Sequence, residues 1–448
     1  MSTERLAKFV VETSYGDLPS EGVRNAKQGI TDCIGCALLG CKERESEIIT
    51  GYAKERGGIP DAGIIGGGFK VPDSDAAWVN GTIAHALDYD DVSTSFLGHP
   101  SVALVPAVLA LGEKYHLSGR DMLLAYITGF EVGTRVGEST AQQYILGWHG
   151  TSTVGSIAAA AASAKLLNLD VDETRMALGI VASLAGGLKE NFGTMTKPLH
   201  AGNAARNGVI AATLAKRGFT AVLDILEAPQ GYGKVFTGGQ DCDFAPATKD
   251  LGEKFNIVSG LEIKPYPSCR GTHAAIDGTL YLRRENKFEL SEIAEIECHG
   301  SDTLLTAVIY NRPKTGLEAK FSIEFCIALA LLENEVTMRY FTDEKVRDPK
   351  IQEIISKIKF VPDPEAILLT PVEVVIKLKD GRVLSHETTV MKGEPENPMN
   401  QEELYTKYKD CASAILSPQN AEKSWEILSK LEEVEDVSSL MDILTKRR

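Results

Sequence analysis

The chain of 448 residues has little aromatic content (7%, with three Trp) and a deficit of positive charge, 47 Lys and Arg against 62 Asp and Glu. A net charge of −15 excludes a broad nucleic-acid surface, which needs clustered cations to neutralise phosphates. It does not exclude a small anionic ligand, because a few local cations in a pocket outweigh the global charge. Long apolar runs are missing too. The least charged stretch, around Tyr144 to Ala164, is broken by His149 and by Gly, Ser and Thr, so no membrane span is expected. The first ten residues, MSTERLAKFV, have no apolar signal core. The eight cysteines (33, 36, 41, 242, 269, 298, 326 and 411) are scattered, which suits reduced thiols and a cytoplasmic location rather than a disulfide framework. Cys33 and Cys36 form a CxxC without a second ligand pair, inside an apolar helical run, and are expected in the core. GxxxxGK[ST], GxGxxG after a strand, and GxSxG are all absent.

What is present is apolar periodicity. Two helices are expected over 3–56, then a glycine-rich loop with a short extended pair to Ala77, then a helix from Trp78 to Leu87. A helix follows His99, with Ser101 as its candidate cap and Pro106 forcing a late start or a mild kink. Further helices are expected at 119–139, 151–168, 172–189 (capped by Asp170 or Asp172), 202–217 and 219–227. The 151–168 pattern is rich in Ala, Gly and Ser, as a buried central helix requires. After about residue 260 the grammar changes. IAEIECHG and PVEVVIKL read as strands, the second continuing through Lys379-Asp380-Gly381-Arg382 into RVLSHETTV as a hairpin. Helical sequence returns from Gln401. The expected architecture is mainly α: a large all-α domain (1–260), an inserted α+β domain (261–396), and a C-terminal helical return to the first (397–448).

Asn80 to Val105, NGTIAHALDYDDVSTSFLGHPSVALV, sets His85, Asp88, Asp90, Asp91 and His99 between two helical patterns. Four basic residues, His99, Lys197, Lys264 and Arg312, precede prolines and so tend to lie where an element begins. His149 likewise stands before TSTVGSIAAAA. Helix N-termini favour anions and disfavour an extra proton, so these groups suit carboxylate binding and proton transfer. A metal-dependent all-α enzyme using Asp88 to Asp91 is the remote alternative. The cluster lacks the carboxylate four residues after the first, and no second acidic motif completes it, so no metal is expected. A Cys269 nucleophile served by His273 has no more than nearness in sequence behind it. Tyr310-Asn311-Arg312-Pro313 adds a phenol and a guanidinium at the end of an apolar run.

NGTIAHALDYDD, GHPSVALVPAVLAL, GWHGTSTVG, TKPLHAGNAARNG, IKPYPSCRGTH, YNRP and GEPENPMNQEEL, in this order over nearly the whole chain, resemble the MmgE/PrpD family. That family includes 2-methylcitrate dehydratase, cis-aconitate decarboxylase and iminodisuccinate epimerase. The resemblance implies a large helical domain with a smaller α+β lid, assembled as a homodimer. It implies no cofactor and no metal. By matching position it implies active-site groups at Asp88, His99, His149, Lys197, Lys264 and Tyr310. Arg270 is expected as a carboxylate clamp peculiar to this chain's branch, with Arg312 as a second binding residue; Asp90 and Asp91 are left as caps or supports. The implied activity is that of a lyase, dehydratase or decarboxylase, on a small di- or tricarboxylate, through α-proton transfer and an enediolate-like intermediate; the alternative is a dicarboxylate epimerase. The decarboxylase branch has Thr directly after its DYDD-type run, where this chain has Val92, and its spacing to the next His is one residue shorter. Both departures point away from decarboxylation.

Overall fold

Apolar spacing becomes helix from the first residues in the computed structural model, which describes residues 1–363, 366 and 369–446. Three helices, α1 (Ser2–Glu12), α2 (Ser20–Gly40) and α3 (Arg44–Arg56), fill the span expected to hold two. The extra break falls where Lys42-Glu43-Arg44 offers nothing apolar to the core, just after Gly40 packs against the Ile83 carbonyl. The glycine-rich loop does contain a short antiparallel pair, β1 (Ala62–Gly63) with β2 (Lys70–Val71). Next come α4 (Asp73–His85), α5 (Pro100–Tyr115), α6 (Gly119–Ser139), α7 (Gln142–Ile145), α8 (Gly150–Leu166), α9 (Val171–Leu184) and α10 (Thr196–Lys216).

Helix α8 is the expected central helix: its small residues let α5, α6, α9 and α10 approach it closely. Asp170 caps α9 by accepting from the Glu173 N–H. Two details differ from expectation. His99, not Ser101, is the N-cap of α5, and the helix starts early, at Pro100, and continues through Pro106. Residues 219–222 form no regular element and 223–227 form turns rather than a helix, because the Ile225 and Leu226 carbonyls accept from Tyr232 and Gly233 and close a loop.

The later α+β segment holds a four-stranded sheet in the order β4–β3–β5–β6: β3 (Ile293–Gly300), β4 (Ile358–Pro362), β5 (Val372–Leu378) and β6 (Val383–Thr388). β3 and β4 are parallel and the other pairs antiparallel, with Ile296 opposite Ile376 and Val374 opposite His386. The hairpin turns at Gly381, whose φ of 92° is one that side-chain-bearing residues rarely adopt. Alternate residues of β5 (Val372, Val374, Ile376, Leu378) point into an apolar core shared with helices His273–Glu285 and Ile323–Glu333. That core runs from Ala274 to Met391. A separate, larger core runs from Leu6 to Ile263 and resumes at Leu404 to Leu444, where helix Gln401–Ala412 packs on α2. No helix among the described residues is long and apolar enough to cross a membrane.

Candidate active site

Helix α4 ends at His85, and three residues later Asp88 turns the chain with a left-handed φ of 53°, a conformation Asp tolerates better than most side chains. The reversal sends three neighbouring carboxylates to three destinations. Asp88 meets two lysines: Lys197 Nζ lies 2.7 Å from its Oδ2, and Lys264 Nζ lies 2.7 Å from its Oδ1 and 2.8 Å from its own carbonyl oxygen. All three side chains are buried. Burial opposes ionisation, but the two ammonium groups outweigh it and hold the Asp88 carboxyl well below the usual range.

Asp90 bridges two histidines, with His85 Nδ1 2.9 Å from one oxygen and His99 Nδ1 2.9 Å from the other. His99 Nδ1 is also 3.0 Å from the Asp91 carbonyl oxygen. These partners only accept, so Nδ1 carries the proton in both rings and each Nε2 keeps its lone pair when the ring is neutral. Burial keeps both rings neutral, against the pull of Asp90, and depresses His99 to about 3. His99 Nε2 faces Asp88 Oδ1 at 3.6 Å, while the buried His85 Nε2 has no hydrogen-bond partner among the described residues. Asp91 accepts from the Ser101 hydroxyl at 2.6 Å and the Ser101 N–H at 3.3 Å, capping α5 from outside the helix; burial pushes its carboxyl up.

His149, the N-cap of α8, lies beside His99, the N-cap of α5. The two helix starts abut: the His99 N–H donates to Thr151 Oγ1 at 3.1 Å, and a Cβ on Gly98 would lie 2.4 Å from that oxygen. The His149 ring is 6.0 Å from His85, edge-on to Phe192 at 4.9 Å, and joined through Nδ1 to His200 Nδ1 at 3.0 Å. Burial lowers both of these as well, His149 well below the usual histidine range and His200 to about 4. The site therefore holds four neutral imidazoles beside a carboxylate clamped by two lysines.

The α+β segment closes over this cluster. Phe192 and Phe321 place their rings 5.0 and 4.9 Å from the Lys197 ammonium, and Tyr310 packs on the cluster they form with Ala307 while donating to the Phe192 carbonyl at 3.2 Å. Lys320 reaches back to donate to the Leu87 carbonyl, at the end of α4, at 2.8 Å. From the C-terminal return, Lys407 pairs with Asp32 at 2.6 Å and donates to the Tyr89 and Lys264 carbonyls at 2.7 and 2.8 Å.

The structure thus brings Asp88, His99, His149, Lys197 and Lys264 together, with Tyr310 at the edge. Only His99 and His149 are true N-caps; Lys197 sits in the first turn of α10, and Lys264 lies in an extended link well before helix His273–Glu285. Arg270 departs from the clamp expected of it. Its guanidinium bonds to Glu262 at 2.9 Å, His273 Nδ1 at 3.1 Å and the Lys392 carbonyl at 3.0 Å, while its buried Nη2 lies 3.7 Å from Glu394 and has no hydrogen-bond partner among the described residues. Arg312 is exposed, and among the described residues it makes no hydrogen bond or ion pair. His273 is held by Arg270 and the Ser268 carbonyl, so Cys269 has no imidazole base there. His200, Lys320 and Lys407 were not singled out from sequence, and His85 was noted only within the Asn80–Val105 stretch, without a role. His200 lies three residues after Lys197, on the same helix face, and that spacing was a readable signal.

Donor atoms of His85, Asp88, Asp90 and His99 lie within 4.8 Å of one another, the dimension of a cation site. The hydrogen bonding does not fit one. Both Asp88 oxygens face ammonium groups at 2.7 Å, and both Nδ1–H groups are committed to Asp90, so a divalent cation would have to displace them.

With this geometry in view, the chain matches the family models of the MmgE/PrpD N-terminal domain over residues 4–245 and the MmgE/PrpD C-terminal domain over residues 266–433. It is 29% identical to cis-aconitate decarboxylase of Mus musculus, over 99% of this chain and 93% of that protein. It is 28% identical to cis-aconitate decarboxylase of Homo sapiens, over 99% of this chain and 94% of that protein. The mitochondrial 2-methylcitrate dehydratase of Yarrowia lipolytica is 25% identical, over 82% of this chain and 75% of that protein.

Proposed function

The chain belongs to the MmgE/PrpD family, and we propose that it is a lyase that moves a proton at the carbon α to a carboxylate of a small di- or tricarboxylate, without a metal or organic cofactor. One observation carries this reading: neutral buried histidines stand against an Asp88 carboxylate that two buried lysines clamp. A neutral imidazole accepts a proton, and adjacent ammonium groups stabilise the enediolate charge that develops when it does.

In this mechanism His149 is the base. Its Nδ1 is engaged by His200, and its Nε2 makes no hydrogen bond among the described residues. Lys197 has one carboxylate partner, Asp88, and its remaining N–H groups are available to the substrate carboxylate on the side of Phe192 and Phe321. Lys264 and Asp88 fix that ammonium in place, and Asp90 fixes the tautomer of His99, the second proton carrier. Burial raises the Tyr310 phenol, so it remains an acid able to protonate a leaving hydroxyl. Closure of the α+β segment over the clamp excludes water.

Val92 favours dehydration over decarboxylation. Its N–H and carbonyl pair with Glu262 at 2.8 and 2.9 Å and its apolar side chain is buried, so this position supplies no hydroxyl. The same feature favours epimerisation as the second reading. Proton NMR in heavy water with 2-methylcitrate, cis-aconitate and iminodisuccinate tests all three reactions in one tube. The expected outcome is α-proton exchange and loss of the hydroxyl-bearing substrate. Absence of exchange with every carboxylate in the panel refutes the proposal.

A further inference from the structure

Lys189 is a buried cation that the proton-transfer scheme leaves without a task. Its backbone is fixed against the residues leading into α8, with the Lys189 N–H bonded to the Gly147 carbonyl at 2.9 Å and the His149 N–H bonded to the Gly187 carbonyl at 3.0 Å. Its ammonium lies 3.6 Å from the centroid of the Tyr144 ring. It makes two long bonds to neutral acceptors, the Tyr144 carbonyl at 3.3 Å and Thr306 Oγ1 at 3.2 Å. Among the described residues no carboxylate forms an ion pair with it, although a buried ammonium group normally needs an anion close by. Thr306 belongs to the α+β segment, four residues before Tyr310, so Lys189 stands on the seam that closes over the site. It interacts electrostatically with Cys269, which in turn feels Asp88, Lys197 and Lys264. The Cys269 thiol is therefore near both Lys189 and the clamp.

We propose that Lys189 is a further substrate-binding residue, which holds a second carboxylate of the substrate at the seam while Lys197 holds the carboxylate next to the reacting carbon. This rests on the carboxylate reading above and adds to it: the substrate carries at least two carboxylates far enough apart to span from Lys197 to Lys189. The unfilled hydrogen-bonding capacity of the ammonium and the two neutral, long contacts are what an anion would complete. Burial holds Lys189 down at about 8, so an anion arriving there draws a proton onto it near that pH.

Isothermal titration calorimetry with two unreactive probes, succinate and tricarballylate, tests this on the intact protein. Lys189→Met should weaken both by about ten- to hundredfold, the loss expected for one charge-assisted hydrogen-bonding partner. Lys189→Arg should bind within a few-fold of the original. Repeating the titration at pH 8.5 in buffers of different ionisation enthalpy should reveal proton uptake in the original protein and none in either variant, a signature that loss of packing alone would not give. Unchanged affinity in Lys189→Met, or equal proton uptake in that variant, overturns the role of Lys189 and leaves the carboxylate reading standing. Failure of the original protein to bind either probe overturns both.

Discussion

Asp88→Asn is the most discriminating perturbation of the clamp. Asn tolerates the left-handed φ of 53° as well as Asp does, so the substitution removes charge without adding backbone strain. It leaves two buried ammonium groups 2.7 Å from a side chain that offers one acceptor oxygen and turns an NH₂ towards the other lysine. Breaking a buried ion pair costs about 3–5 kcal/mol. If the stranded lysine instead sheds its proton, the cost at pH 7 from an ordinary value of about 10.4 is about 4.6 kcal/mol, within that range. That cost falls by about 2.7 kcal/mol between pH 7 and pH 9, because the unfolded variant then binds more protons than the folded one and its stability rises with pH. On the acid side the gap also closes. The folded-state value of Asp88 is depressed, so its contribution is complete above the unfolded carboxyl value of about 3.9 and is lost as pH falls towards the folded value. Urea unfolding followed by circular dichroism at pH 5, 7 and 9 should therefore give a deficit of about 3–5 kcal/mol at pH 7 that shrinks clearly at pH 9. A deficit under about 1 kcal/mol at pH 7, or one that does not change by pH 9, would refute the clamp as an electrostatic unit.

Other outcomes follow from the same geometry. His149→Asn should lower α-proton exchange by about 10²- to 10⁴-fold, read by NMR in heavy water, while shifting the unfolding midpoint little. Lys264→Met should lose activity and also destabilise, since it removes a partner of Asp88 and of its carbonyl together; near-normal turnover would remove Lys264 from the mechanism. With burial holding His99 at about 3 and His200 at about 4, kcat/KM should show no acid limb between pH 5 and 8, and an apparent value of 6 to 7 in that profile would contradict the neutral-histidine site. Dialysis against a chelator should leave exchange intact; loss restored by a divalent cation would favour the His85–Asp88–Asp90–His99 cation site instead. Lys407→Met should cost about 3–5 kcal/mol at pH 7 by stranding Asp32, whose carboxyl burial already raises to about 6, and less at pH 5, where Asp32 is protonated.

The composition of the site could be read along the chain, but its wiring could not. DYDD in sequence is one acidic patch, in which the three carboxylates look equivalent. The left-handed turn at Asp88 makes them unlike: one meets lysines, one meets histidines, and one meets a serine at a helix start. Two of them are held ionised while Asp91 is driven towards its neutral form. A positive φ at a non-glycine residue leaves no mark in a hydrophobic pattern, so this divergence was invisible. Proline spacing found His99 and Lys264 because each is an extended residue leading into a helix or a new segment, and Lys197 because it falls in the first turn of α10, where a following proline is tolerated. It could not find Lys189, Lys320 or Lys407, which have no proline after them and whose contacts include Thr306, Leu87 and Tyr89, residues far away in the chain.

Arg270 shows the opposite case. An arginine in IKPYPSCRGTH reads as a free carboxylate clamp, yet Glu262, eight residues earlier in sequence, turns back and takes it. Glu262 also pairs through its backbone with Val92, so one short stretch ties the acidic loop, the Lys264 link and Arg270 together between the helical core and the segment that covers it. The guanidinium therefore fixes where Lys264 stands, and substituting Arg270 should disturb the site through Lys264 without removing a direct contact to the substrate.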